Sequence, residues 1–175
     1  MSVLARFRKE SKLEFYNNAL KVRREVIQLM KRDFGMKPRT CDIRVIAENM
    51  APADKEDVYR ITGKYGGAKV EYTYPEWLIE HLRENLWKLN SEMIINVTRA
   101  YTIWPTCKME VQERRISQDR AVANCESMLQ ELAFTLDILP MDAEKYIPLL
   151  ELIDKEISLL KGWRKSDNKR FKDFK

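Results

Sequence analysis

Hydrophobic residues recur every three or four positions along most of this 175-residue chain, with polar residues between them. This spacing predicts four long amphipathic helices. They cover residues 2–34, 75–104, 106–139 and 142–162, and glycine or proline lies at or near their boundaries. Asp142 is the predicted N-cap of the fourth helix, and Gly162 is its predicted end. The first half of the third helix is strongly polar and is expected to project beyond the tightest packing.

The first helix carries two apolar stripes with a seven-residue repeat. The stripes are offset by two residues, or about 200° around the helix axis, so they lie on nearly opposite faces. One stripe can face a core while the other faces a second subunit, although one wide buried face explains the pattern almost as well. The sequence does not decide which stripe points inward, and our candidates for an oligomer interface are Leu13, Leu20 and Ile27.

Residues 36–74 break the helical pattern. The runs "CDIRVIA" and "AKVEYTY" alternate as strands do and could pair as an antiparallel ribbon, while "PADKEDVYRITGKYGG" between them predicts a short helix. The predicted fold is therefore all-α: an antiparallel up-down four-helix bundle with a small irregular α/β insert between helices 1 and 2. We assign 1–175 to one domain, 36–74 to the insert and 164–175 to a basic C-terminal tail that is frayed in isolation.

The net charge of +5 is unevenly distributed along the chain. Residues 1–35 carry nine Lys and Arg against four acids, and residues 161–175 carry seven against two. The segment between these ends is acidic. Basic ends favour a polyanionic partner, although solubility alone is the commoner reason for a single run of charge.

In an antiparallel bundle, helix 1 begins at the end where helix 4 finishes, so cations from the two chain ends are expected to gather there. Arginines early in helix 3 can extend this patch. The candidate nucleic-acid and partner contacts are Arg6, Arg8, Lys12, Arg23, Arg24, Arg114, Arg115, Arg120, Arg164, Lys165, Lys169 and Arg170. Trp163 and Phe171 could stack on bases, but packing of Trp163 as a plug on the bundle end is the preferred interpretation.

Catalytic chemistry has little support in the sequence. Phosphate-binding loops and nucleophile motifs are absent, and the single histidine, His81, has no evident partner. The three cysteines lack metal-ligand spacing, which indicates free thiols in a reducing cytoplasm. No run approaches the ~20 apolar residues of a membrane span. We therefore predict a non-enzymatic protein without a metal or other cofactor.

The segments "RRISQDRAVANCESMLQELAFTLDILPMDAEKY" and "EISLLKGWRKSDN" resemble the last two helices of the accessory variability proteins (Avd) of diversity-generating retroelements. That family lies within a wider group of four-helix-bundle proteins that includes ribosomal insertion proteins. The resemblance covers 75–175, and Gly162-Trp163 followed by cations is its most recognisable part. The 36–74 insert departs from the short members of the family.

The resemblance implies a basic five-fold barrel of four-helix bundles in the cytoplasm of a bacterial or phage-infected cell. Such a homopentamer associates with reverse transcriptase and template RNA, and supports error-prone cDNA synthesis without catalysing it. The matching contact positions are Arg114, Arg115, Arg120, Arg164 and Lys165. An oligomeric bundle of a phage or mobile element with no nucleic-acid role is the alternative, and an enzyme built from scattered carboxylates and arginines ranks lowest.

Overall fold

A computed structural model describes residues 13–36, 39–67, 69–72, 74–139 and 141–174. The long helices are α1 (Glu14–Lys31), α4 (Glu76–Thr102), α5 (Lys108–Ile138) and α6 (Ile147–Arg170), and the short helices are α2 (Ile43–Ala47) and α3 (Pro52–Tyr65). Two strands, β1 (Arg39–Asp42) and β2 (Lys69–Tyr72), complete the regular elements, together with single 3₁₀ turns at Asp33–Gly35, Ala143–Lys145 and Lys172–Phe174. The prediction of a helical protein is confirmed, and the four long helices are compatible with a bundle.

Helix α1 buries one of its two apolar stripes and leaves the other on the outside. Val22 is fully buried and Phe15 is almost so, whereas Leu13 and Leu20 each remain 37% exposed. Ile27 is half-buried. The structure thus decides the question that periodicity left open, because the stripe that contains Leu13, Leu20 and Ile27 points away from the core.

Helix α6 packs against both α1 and α5. On the α1 side, the ring of Trp163 stacks on Phe15, with centroids 4.1 Å apart. On the α5 side, Lys161 Nζ lies 2.9 Å from Glu126 Oε1. The fully buried large side chains that fill the space between the long helices are Leu82, Leu86, Met93, Met128, Leu132, Ile153 and Leu160.

The prediction that Gly162 ends the last helix is wrong. Helix α6 continues through Gly162 to Arg170. Trp163, Asp167 and Phe171 follow at four-residue spacing and therefore share one face, which packs inward. Burial of this face outweighs the cost of about 1 kcal/mol for a glycine inside a helix. The predicted frayed tail is thus helical over most of its length.

A tight turn ends α1. Phe34 adopts a left-handed conformation (φ 57°) and is fully buried, and Gly35 follows with φ 69°. The Tyr146 hydroxyl donates a hydrogen bond to the Phe34 carbonyl oxygen, which ties this turn to the start of α6. Asp142 caps the 3₁₀ turn before α6, where its side chain accepts a hydrogen bond from the Glu144 amide at 3.3 Å.

Residues Met36–Glu80 form a compact unit of their own. Strands β1 and β2 pair antiparallel, from Arg39 opposite Tyr72 to Asp42 opposite Lys69. The strand prediction for "CDIRVIA" is wrong beyond Asp42, because Ile43–Ala47 is helical.

Within the described part of the chain, no helix combines the length and the apolar character needed to cross a membrane.

Candidate functional site

Arg114 lies at the centre of a buried network where α4 ends, α5 begins and α6 ends. Its Nε donates a hydrogen bond to Asp167 Oδ2 at 2.6 Å. Its Nη1 donates to the carbonyl oxygens of Ala100, at 2.8 Å, and Ile103, at 2.6 Å. These carbonyls belong to the last turn of α4 and the residue just beyond it, so a cation is favourable there. Gln118 Nε2 also donates to Asp167 Oδ2, at 2.6 Å.

Aromatic rings enclose the same guanidinium. The Cζ atom of Arg114 lies 5.0 Å from the centroid of Trp163 and 5.8 Å from that of Phe171. Because Trp163 also stacks on Phe15, it packs as a plug on this end of the helices. Phe171 is only 5% exposed. The expected plug is therefore confirmed, because Phe15 covers one face of Trp163 and Phe171 is buried.

Arg114 is withdrawn as a candidate nucleic-acid contact. The residue is 5% exposed, and its charge is already compensated by Asp167. A phosphate could reach this guanidinium only if the buried ion pair opened, which is unfavourable in a site shielded from water. The expectation that the first half of α5 projects beyond the tightest packing is wrong at Arg114, Ser117 and Gln118, which are all buried.

Other cations from the list of candidate contacts lie on the surface near the start of α5 and the end of α6. Arg164 Nη1 pairs with Asp119 Oδ1, and Arg115 Nε lies 4.0 Å from the other oxygen of that carboxylate. Arg120 lies one residue beyond Asp119 and is exposed, as are the cations that follow on α6. We call this set the basic end, and it consists of Arg115, Arg120, Arg164, Lys165, Lys169 and Arg170.

The candidates on α1 do not join the basic end. The carbonyl of Arg23 accepts a hydrogen bond from Asn90 Nδ2 at 3.3 Å, which places it beside the middle of α4. Arg23 is eight residues, or about 12 Å, along the helix from Phe15. Its neighbour Arg24 is exposed at the same level. Arg6, Arg8 and Lys12 lie outside the described residues.

An aromatic pocket opens beside the basic end. It encloses about 790 Å³ and is lined by side chains that include Tyr101, Trp104, Trp163 and Arg170. Trp104 is 68% exposed and Tyr101 is 48% exposed. Neither residue is among the contacts predicted from the sequence. Trp104 could have been recognised from its position directly before Pro105, at the break between two helices. A large ring at such a break has little hydrophobic core against which to pack.

An exposed apolar face runs along α1 and α4. Leu20 on α1 is 37% exposed, and Trp87 and Ile95 on α4 are 51% and 53% exposed. Ile27 and Trp87 line one groove of about 500 Å³. Contiguous exposed apolar surface of this kind marks interaction sites more often than ordinary solvent-facing surface.

A buried polar pair lies farther along α1 and α6. Asn18 Nδ2 donates to Glu156 Oε2 at 2.9 Å, and Glu156 is fully buried. The second carboxylate oxygen, Oε1, is buried and has no hydrogen-bond partner among the residues that the structure describes. Burial raises the pKa of Glu156 to about 7, against the lowering effect of the Asn18 hydrogen bond. Burial, and then the nearby Glu156, also raise the pKa of the Cys125 thiol.

In the described part of the chain, the side chains do not form a site for metal binding or for thiol chemistry. There, no three side chains from His, Cys, Asp and Glu gather closely enough to hold a metal ion. Cys125 is a buried free thiol as expected, whereas Cys107 is exposed because it lies at the start of α5.

Comparison with protein-family models, with curated proteins and with solved structures finds no significant match to this chain. The resemblance to accessory variability proteins therefore stays a prediction that rests on the quoted segments of the sequence.

Proposed function

We propose that this protein is a non-catalytic accessory scaffold of a diversity-generating retroelement. It binds reverse transcriptase and template RNA or its cDNA through the basic end, and so supports mutagenic reverse transcription. The observation that carries the proposal is the gathering of surface cations from the start of α5 and the end of α6, with Asp119 between Arg115 and Arg164.

The charge balance of the basic end favours a polyanion. Asp119 is shared by two arginines, so its single negative charge leaves an excess of positive charge even where ion pairs form. Lys165 and Lys169 are one helical turn apart and exposed, which lets both contact one phosphate backbone. Each phosphate neutralised by such a cation contributes affinity that is independent of sequence and weakened by salt.

An up-down order of the four long helices, interrupted by an α/β insert, is part of the same proposal. Contacts between neighbouring helices support it: Phe15 lies against Trp163, and Phe34 lies against Tyr146, so residue numbers rise on α1 as they fall on α6. The contact of Tyr16 with Tyr101 and that of Arg23 with Asn90 relate α1 and α4 in the same way.

We infer that the exposed apolar face of α1 and α4 joins copies of this chain into a homo-oligomer. Leu20, Ile27 and Trp87 supply surface that a subunit contact would remove from water. The number five comes from the family resemblance alone. A closed ring repeats the basic end once per subunit, so weak phosphate contacts combine on one RNA.

The experiment is an RNA-binding titration across a salt series. The variant replaces Arg115, Lys165 and Lys169 with Ala, and the matched control replaces Lys88, Lys145 and Lys155, which are also exposed. We expect the first triple variant to flatten the slope of log affinity against log salt by roughly one per lost phosphate contact, and the control to keep the parent slope.

Equal slopes for the two triple variants would remove the basic end from RNA binding. If the parent binds no RNA at low salt, the alternative is favoured, namely an oligomeric helical-bundle interaction protein of a phage or mobile element with no nucleic-acid role. The exposed apolar face is the observation that supports this alternative. Co-purification with a co-expressed reverse transcriptase tests the polymerase contact separately.

A further inference from the structure

The aromatic pocket beside the basic end combines a stacking surface with positive charge. Trp104 follows the last turn of α4, and its ring is held on one side by Phe171, edge-on with centroids 6.4 Å apart. Arg170 Cζ lies 5.8 Å from the centroid of the Trp104 ring. The ring is nevertheless 68% exposed, so an open surface remains for a planar ligand.

The pocket carries positive charge because the acidic side chain in its lining is already paired with other residues. Asp167 is the acidic side chain in the lining, and it accepts hydrogen bonds from Arg114 and Gln118. The Arg114–Asp167 pair is neutral as a unit. Among the described residues, Arg170 is therefore the charge of the lining that no acid compensates, and Lys169 lies next to it on the exposed side of α6.

The size and shape of the pocket suit a base rather than a duplex. Its volume of about 790 Å³ is within the roughly 300–1,000 Å³ of pockets that enclose small molecules. A flat aromatic ring beside arginine and lysine is the arrangement by which proteins hold unpaired bases and their phosphates. A base pair inside a duplex cannot enter, because both of its faces are covered by stacked neighbours.

We propose that this pocket captures one unpaired base of single-stranded RNA, stacked on Trp104, with the adjoining phosphate at Arg170 and Lys169. The inference rests on the proposed RNA-binding function and extends it, since it assigns a preference for unpaired over paired RNA. Arg114, Trp163 and Phe171 act as positioning residues that hold the wall of the pocket in place.

The test compares Trp104→Ala with the matched control Trp77→Ala, since both tryptophans are 68% exposed and Trp77 lies outside the proposed interface. Fluorescence anisotropy measures binding to a labelled unstructured RNA strand and to the duplex of the same sequence. We expect Trp104→Ala to weaken single-strand binding about tenfold at every salt concentration and to leave duplex binding unchanged, because stacking releases no counterion. Trp77→Ala should match the parent on both RNAs.

A second measurement separates stacking from a structural effect. The single strand should quench tryptophan emission of the parent and of Trp77→Phe. In Trp104→Phe that quenching should be lost, while anisotropy still shows binding tighter than that of Trp104→Ala. Unfolding midpoints of all variants should match the parent, because both side chains are largely exposed.

The outcomes distinguish this inference from the proposed function. Failure of the parent to bind either RNA overturns both. Binding by the parent with equal affinities for Trp104→Ala and Trp77→Ala overturns the base-capture inference alone. Base capture is also overturned if Trp104→Ala weakens binding to the duplex as much as binding to the single strand. It is overturned as well if Trp104→Ala disrupts only co-purification with reverse transcriptase, because the pocket would then be a protein contact.

Discussion

Arg114 and Asp167 form a buried ion pair, 2.6 Å from Nε to Oδ2, that ties the start of α5 to the end of α6. The same guanidinium holds two carbonyls at the end of α4. One side chain therefore joins the ends of three helices and supports a wall of the aromatic pocket. Its contribution is structural, although it is an arginine within a basic protein.

Replacement of Arg114 by Ala should lower the free energy of unfolding by about 3–5 kcal/mol, because Asp167 would remain as a buried charge without its partner. Urea unfolding followed by circular dichroism measures this loss. Arg115→Ala is the control, and should stay within about 1 kcal/mol of the parent because its pair with Asp119 is exposed. Similar losses for both variants would contradict a special role for the buried pair.

Stability should decrease as pH rises from about 4.5 to about 7, because of Glu156. Its raised pKa means that the folded protein binds the carboxyl proton more tightly than the unfolded chain does. This contribution is fully present below pH 4.5 and is lost as pH rises through about 7. Glu156→Gln should flatten this part of the profile by up to ~3 kcal/mol in urea unfolding.

The matched control for that profile is Glu151→Gln, an exposed carboxyl on the same helix, which should keep the parent's pH dependence. A Glu156→Gln profile parallel to that of the parent between these pH values would show that the buried carboxyl does not titrate there.

Leu20→Asp should reduce the mass of the native particle, because a charge placed in an apolar subunit contact is unfavourable. Light scattering measures the mass, and Ile116→Asp is the control because Ile116 is 51% exposed on α5, outside the face of α1 and α4. A Leu20→Asp particle as large as the parent would place any interface elsewhere.

Gly162→Ala should stabilise the protein by about 0.5–1 kcal/mol, since alanine favours the helix more than glycine does. A Cβ atom at this position meets no neighbouring atom within 4 Å. Gly35→Ala is the opposite control: space is equally open, but φ is +69°, so alanine is strained there and should destabilise. Thermal unfolding of the two variants should therefore shift in opposite directions. A lower midpoint for Gly162→Ala would be inconsistent with an unstrained helix through this residue.

Much of the helical framework was predictable because its signals are local. The apolar spacing of 75–104 and 106–139 and the prolines beside them gave helix limits within about three residues of Glu76–Thr102 and Lys108–Ile138. The end of α6 was missed for a physical reason. Gly162 and the surrounding cations signal a stop locally, while Trp163, Asp167 and Phe171 carry a helical spacing whose benefit appears only when other helices cover that face.

The residues of the candidate site were likewise predictable only in part from the sequence. The predicted antiparallel order of helices suggested that arginines early in α5 extend a basic patch at the end of α6. It could not separate Arg114 from Arg115, because adjacent positions on a helix point about 100° apart and packing decides which is buried. Hydrophobic periodicity found two stripes on α1 and could not orient them, since either stripe satisfies the local pattern. The sequence by itself determined where helices form and where charge accumulates. Only the tertiary structure decided which face, which arginine and which aromatic ring remain exposed, because burial depends on neighbours that are distant along the chain.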